Sequence, residues 1–346
     1  MNVELLKELC EAHGVSGYED AIREIVRREL SPLCEISADS MGNLICVKKG
    51  AGNKKVMIAA HMDEIGFVVK HIDKDGFLRL NPLGGWDPRQ MNSQRVLVHC
   101  RGGALSGTLM YGTKPAHLLS DAEKKEGQNL DSFFVDLGIC GDDVKEKVRP
   151  GDMVTMHGRF NQIGNHLACK TMDDRVGVFI MIEAVKALGA HECDVYAVAT
   201  VQEEIGLRGA AASGWSVQPD VVVALDITLA NDIPGIPEQD QITKLGEGAA
   251  IKIMDSSLIC HPKLVNHFRD VAEKHGIKHQ MEILPRGGTD AGGIQRLHGG
   301  IPSFTLSIPC RYVHTVNETV HPDDVQACID LLARYIEEAH EGNYGY

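Results

Sequence analysis

The stretch "KTMDDRVGVFIMIEAVKALGAHECDVYAVATVQEEIG", Lys170 to Gly206, carries two different periods in one run. Its first part reads as a helix from about Asp174 to Leu188, with Gly189 placed to stop it. Its second part, Val195 to Val201, is an apolar run without alternation, which is the composition of a strand covered on both faces. Directly after that strand come two adjacent carboxylates, Glu203 and Glu204, and a turn at Gly206. Neighbouring anions at a strand end repel and add nothing to a core, so either solvent or a nearby cation has to compensate them.

The same alternation of strand and helix extends through the rest of the chain. Leu5, Leu6, Leu9 and Ala12 recur at helical spacing up to Gly14, and the S-x-x-E box of Ser16 and Glu19 is placed to cap a second helix carrying Ile22, Ile25, Val26 and Leu30. "KKVMIAAHMDE" contains a strand over Val56 to Ala60 with His61 at its end. "DVVVALDI" gives a strand over Val221 to Leu225, followed by a loop rich in Gly and Pro and a helix around Pro262 to Lys274. "SFTLSI" and a helix from Pro322 to about His340 complete the pattern. Strands alternating with helices predict an α/β fold, a mostly parallel mixed sheet with helices on both faces.

From Gly66 to Gly158 the texture differs. "GFVVKHIDKDGFLRL" reads as a hairpin around Asp75 and Gly76, "QRVLVHCRGGALSGTLMYG" as another around Gly102 and Gly103, and "RPGDMVTMHG" as a further strand. Long helical patterns are missing there, which predicts an inserted small all-β, barrel-like domain. The expected division is therefore residues 1–65 and 159–346 for the α/β host and 66–158 for the insert.

Composition narrows the partners. The chain has 346 residues, 43% of them hydrophobic, enough for a large core. A formal net charge of −13 from 48 acidic and 35 basic residues repels nucleic acid and anionic membranes, and no Lys/Arg stripe overrides it. The acids in "MNVELLKELCEAHG" argue against a signal peptide, and no run approaches a membrane span. Ten cysteines lie scattered from Cys10 to Cys328 without a C-x-x-C pair, which suits reduced thiols and a cytoplasmic protein.

In open α/β sheets ligands bind outside the carboxyl ends of the strands. There the sequence sets His61 and Asp63, Glu203 and Glu204, Asp226, and a loop with His314, while Asp173 precedes a helix. Any one of these alone reads as a turn, a cap or a surface residue. Two His with three of these carboxylates suit Zn²⁺, Co²⁺ or Mn²⁺. With Asp173 bridging, two divalent ions would each have one His and one terminal carboxylate. Asp63, two residues from His61, is spaced to hold the other imidazole nitrogen.

Six segments in order resemble the M42 metallo-aminopeptidases, the family of tetrahedral (TET) and glutamyl aminopeptidases. They are "AAHMDEIGF" (59–67), "KTMDDRVG" (170–177), "VQEEIGLRGA" (201–210), "ALDIT" (224–228), "RGGTDAGGI" (286–294) and "PCRYVHT" (309–315). The resemblance implies one metal on His61 and Asp226, the second on Glu204 and His314, and Asp173 bridging them. Glu203 is then the general base toward the attacking water, and Asp63 orients His61. The loop Arg286, Gly287, Gly288 and Thr289 is implied as part of the substrate wall.

The implied activity is release of N-terminal residues from peptides. The insert is implied as a dimerisation domain, in a homo-oligomer that is either a dimer or a twelve-subunit tetrahedral particle built from dimers. Arg286 beside the glycine loop suits an acidic substrate side chain, or equally a surface or subunit contact. Rival activities are a metal-dependent deacylase or amidohydrolase, and the glucanase whose label some relatives carry. The two adjacent glutamates do not by themselves give the separated carboxylates of a glycoside hydrolase.

Overall fold

The computed structural model describes residues 1–345. The chain divides into two compact units, one of Met1–Glu64, Arg159–Val313 and Asn317 onward, the other of Ile65–Gly158 with His314–Val316.

The first unit is built on an eleven-stranded mixed sheet among the described residues. Its centre is parallel: Asp194–Thr200, Lys55–His61, Val221–Leu229 and Ser303–Arg311 lie side by side in that order. Antiparallel strands flank this centre, with Leu44–Lys48 and Glu35–Ala38 on one side and Glu318–Val320, His166–Cys169 and Asn161–Ile163 on the other. A further pair, Ala249–Met254 and His279–Ile283, joins through Ser303–Arg311. The central strands bury both faces, and alternate residues serve different layers. Val56, Ile58, Ala60, Val195, Ala197 and Ala199 face the main core, while Met57, Ala59 and Val198 face a second one.

Helices cover both layers. Met172–Ala187 is buried along most of its length, with an apolar run from Val176 to Ile182, as a helix in the middle of a layer must be. Pro322–Glu338 shows only one apolar face to the same core, as does Pro262–His275. On the opposite face Ala210 and Val217 of Arg208–Val217 and Ile294 of Asp290–Ile294 close the second core. A buried ion pair joins two strands of the sheet: Lys252 meets Glu282, which also accepts the Thr228 hydroxyl at 2.6 Å. Both charged partners are fully enclosed.

Two local expectations are corrected. Ser16 and Glu19 do not form a capping box: the helix Asp20–Leu30 has no side-chain cap, because both side chains are drawn into the interior. Asp226 does not follow its strand but lies within Val221–Leu229. Pairing with Ser303–Arg311 continues to Leu229↔Cys310 and prolongs the strand, whereas pairing with Lys55–His61 stops at Ala224↔Ala59. Continuing that register sets Asp226 level with His61, so it still stands at an open strand end, that of its neighbour.

The second unit is a closed barrel in the order Gly66–Ile72, Leu78–Leu83, Phe133–Asp136, Gly103–Tyr111, Gln94–Cys100, Met153–Met156. Inward residues such as Phe67, Val69, Leu78, Val96, Val98, Leu109 and Val154 fill it. The first hairpin turns where Asp73 accepts the amides of Asp75 and Phe77, at 2.9 and 3.0 Å, and Gly76 takes φ 93. Among the described residues no helix is long and apolar enough to cross a membrane.

Candidate metal centre

His61 ends the central strand Lys55–His61 and is 2% exposed. Its Nδ1 lies 3.0 Å from the Asp63 carbonyl and 3.5 Å from the Asp63 carboxylate, and its Nε2 lies 3.1 Å from Asp173 Oδ1. A neutral imidazole can donate to only one of these oxygens. The ring is therefore satisfied either as an imidazolium or with a cation between Nε2 and Asp173. Burial works to lower its pKa, but the hydrogen bonds to Asp173 and Asp63 and the charge of Glu203 prevail and raise it well above the usual value. Ligand atoms of His61, Asp173 and Glu204 all lie within 4.8 Å of one another. A borderline-hard donor set of this kind, with the far imidazole nitrogen already engaged, fits a divalent transition-metal ion.

Asp173 enters its helix with non-helical backbone angles (φ −76°, ψ 106°), and its amide donates to Glu318 at 3.0 Å. The neighbouring Asp174 accepts the His61 amide at 3.3 Å and the Gly177 amide at 3.1 Å. Asp174 thereby ties the end of the strand to the start of the helix, fixing two candidate ligands against each other.

The turn that carries the glutamate pair is secured amide by amide. Val201 donates to the Asn43 side chain at 3.0 Å, Gln202 to Glu19 at 3.2 Å, Glu203 to Asp63 Oδ1 at 3.0 Å and Glu204 to Asp63 Oδ2 at 3.2 Å. Gln202 has φ 56, which takes the chain out of strand geometry. Adjacent strand residues point to opposite faces, and this bend lets Glu203 and Glu204 serve one region. Asp63 accepts a third bond from Ser16 Oγ at 2.6 Å. Burial alone would raise the Asp63 pKa, but His61, Ser16 and the Glu203 amide hold it below the ordinary value.

The surrounding carboxyls respond to crowding. Glu203 is pushed well above the carboxylate range by burial, with Asp226, Glu204 and Asp290 adding to the effect and His61 opposing it. Asp226 is raised by burial and then by Asp173. Asp290, absent from the sequence-based site, is fully buried; Thr200 donates to its Oδ2 at 2.5 Å, and burial lifts it to about 6. Thr200 is level with His61 in the parallel register, so Asp290 hangs over the same strand ends.

The remaining predicted residues are placed as follows. Arg286, Gly287 and Gly288 are exposed, and Arg286 makes no ion pair among the described residues. Thr289 is buried, its hydroxyl 3.1 Å from Asp255 and 2.9 Å from that of Thr305. His314 belongs to the barrel unit, with φ 62 and its ring near Gly85. Sequence reading missed Ser16, Glu19, Asn43, Asp174, Asp290 and Glu318. The signals available were the second acid in "MDDRVG" and the aspartate next to Thr289; nothing local distinguishes Asn43 or Glu318.

A family model described as M42 glutamyl aminopeptidase matches residues 42–331, and a short model described as AMPT matches residues 2–25. The lysyl aminopeptidase of Pyrococcus furiosus is 39% identical over 345 residues, covering 97% of this chain and 96% of that protein. The structure resembles that of an aminopeptidase from Desulfurococcus kamchatkensis with a TM-score of 0.93 at 39% identity, covering 97% of this chain and 94% of the other. It also resembles the TET1 peptidase of Pyrococcus horikoshii, described as assembling into a tetrahedron or a large octahedral shell. There the TM-score is 0.87 at 32% identity, covering 97% and 99% of the two chains.

Proposed function

The chain belongs to the M42 glutamyl aminopeptidase family and is an aminopeptidase, and on that premise we propose that it releases N-terminal residues at a dinuclear metal centre with Glu203 as general base. The observation that carries this reading is the separation of the glutamate pair. Glu204 shares a cluster of 4.8 Å with His61 and Asp173, while Glu203, one residue away, stands outside that group, its carboxyl pushed above the ordinary range by burial.

In this proposal His61, Asp173, Glu204, Asp226 and His314 would hold the two divalent ions. The donor set favours Zn²⁺, with Co²⁺ or Mn²⁺ as substitutes. Bound divalent ions supply Lewis acidity toward the scissile carbonyl and acidify water. Glu203 takes the proton of the attacking water and passes it to the leaving amine. Asp63 keeps the His61 ring in one orientation and fixes the amides of both glutamates. The excess of carboxyls around the site favours a substrate with a free, positively charged N-terminus.

Homo-oligomer formation follows the pattern of the TET1 relative, and we assign the barrel unit as the dimer contact. Sedimentation of the full chain should show a species larger than a monomer.

The decisive comparison is Glu203→Gln against Glu204→Gln on aminoacyl chromogenic substrates. Chelation should abolish turnover, and Zn²⁺, Co²⁺ or Mn²⁺ should restore it. Glu203→Gln should lower kcat by about 10²- to 10⁴-fold with metal content unchanged, whereas Glu204→Gln should lower metal content. Retained turnover in Glu203→Gln, or metal loss in that variant instead of the other, overturns the assignment. Equal rates on N-acetylated and free peptides would remove the requirement for a free amine.

A further inference from the structure

Glu19 grips the turn from outside the candidate ligand set. It is 2% exposed, it stands at the start of the helix Asp20–Leu30, and it does not cap that helix. Its Oε1 accepts two amides, that of Gly17 at 2.7 Å and that of Gln202 at 3.2 Å. The first bond fixes the carboxyl within its own loop, and the second reaches across 183 residues to the turn that carries the glutamate pair.

We propose that Glu19 is a positioning residue for Glu203: by accepting the Gln202 amide it sets the direction in which the chain leaves the strand, and so the direction in which Glu203 faces. This rests on the assignment of Glu203 as base.

The backbone gives the reason. Gln202 takes φ 56, a left-handed conformation that a non-glycine residue adopts only at an energetic cost. Such a residue relaxes to negative φ unless its surroundings over-determine it. Its own amide is the group whose direction changes when φ changes, and Glu19 is the acceptor that fixes that direction. Asn43 and Asp63 secure the amides on either side, at Val201, Glu203 and Glu204, but neither reaches that of Gln202.

The loop that presents Glu19 is itself anchored beside Asp63. The Glu64 amide donates to the Gly14 carbonyl at 3.0 Å, and the Gly14 amide returns to Glu64 Oε1 at 3.0 Å. Ser16 donates to Asp63 at 2.6 Å. Both carboxyls that grip the turn are therefore referenced to the segment Gly14–Glu19, and displacement of that segment moves them together. A β-carbon on Gly14 would lie 2.6 Å from Ile22 Cδ1 and 2.9 Å from the Tyr18 carbonyl, so the segment has little room to shift.

The test uses the metal-loaded full chain. Glu19→Ala removes the acceptor, while Glu19→Gln keeps an oxygen for the Gln202 amide. For each variant kcat, KM, metal content and hydrogen exchange over residues 201–206 are measured. Glu19→Ala should lower kcat about 10- to 100-fold, the scale of a misplacement of about 1 Å in a catalytic group, with KM and metal content close to wild type. Exchange at the turn should accelerate, and Glu19→Gln should recover most of both changes. Should Glu19→Ala not fold, Glu19→Met, which fills the volume without an acceptor, is read in the same way.

Wild-type kcat in the acceptor-free variant, or equal loss in both variants with unchanged exchange at the turn, overturns the proposal. Glu203→Gln measured alongside separates the two readings. If Glu203→Gln keeps its turnover, the assignment of the base falls. If it is inactive while Glu19→Ala is unimpaired, only the positioning role falls.

Discussion

Replacing Asp63 by Asn tests the arrangement where it is most concentrated. The side chain is fully buried, and its two oxygens accept three hydrogen bonds: the Glu203 amide on Oδ1, and the Glu204 amide and Ser16 hydroxyl on Oδ2. An Asn amide has one oxygen. Whichever way it is flipped, its NH₂ faces one of the two backbone donors, and the Ser16 hydroxyl can rotate but an amide cannot. One orphaned buried N–H costs about 1 to 3 kcal/mol, and loss of charge weakens each surviving bond by about 1 kcal/mol. The total is roughly 3 to 5 kcal/mol, read as a lower urea midpoint in the metal-free protein. Because Asp63 also holds the His61 ring, metal affinity should fall about 10- to 100-fold by chelator competition.

The pH dependence has a definite sign. The folded-state pKa of Asp63 lies below 3.8, so its contribution is present above that pH and is lost as pH falls through the depressed value. Asp63→Asn should therefore narrow its stability deficit against wild type in strong acid. A variant within about 0.5 kcal/mol of wild type at neutral pH, with unchanged metal affinity, would refute this account of the turn.

Two further outcomes follow from buried charges. Glu19 is lifted from 4.5 to about 7 by burial and then by Asp63, against its amide donors, so its protonated form stabilises the fold below about 4.5 and this stability is lost as pH rises through about 7. The gap corresponds to about 3 kcal/mol; Glu19→Gln should flatten that fall in urea titrations at a series of pH values, and an identical pH slope in both proteins would contradict it. Lys252→Met should cost about 3 to 5 kcal/mol by stranding Glu282 in the core, and Lys252→Met with Glu282→Leu should recover most of it. A single variant costing under about 1 kcal/mol would show that the pair is not what satisfies Glu282.

Much of the host fold was readable because strand and helix periods are properties of neighbouring residues. The apolar runs at Val56–Ala60, Val195–Val201 and Val221–Leu225 could be covered only on both faces, and both faces are covered. A lone Asp looks like a terminus, so local pattern alone ends the strand before Asp226, whereas it runs to Leu229. Its true length is set by hydrogen bonds to Ser303–Arg311, a partner about eighty positions away, which no local pattern records.

The sequence by itself determined the α/β alternation, the β-rich insert, the family, and the chemistry of the residues at the strand ends. Those depend on side-chain type and short-range order. The tertiary structure alone decided that Ser16 and Glu19, a capping box by sequence, serve the interior instead. A Ser or a Glu can spend its hydrogen bonds on its own helix or on a distant backbone, and in a buried setting the unpaired amides of Gln202, Glu203 and Glu204 are the costlier groups to leave unmet. The adjacency of Glu203 and Glu204 was visible from the start. What separates them is the left-handed turn at Gln202, and the carboxyls that secure that turn, Glu19 and Asp63, come from segments far earlier in the chain.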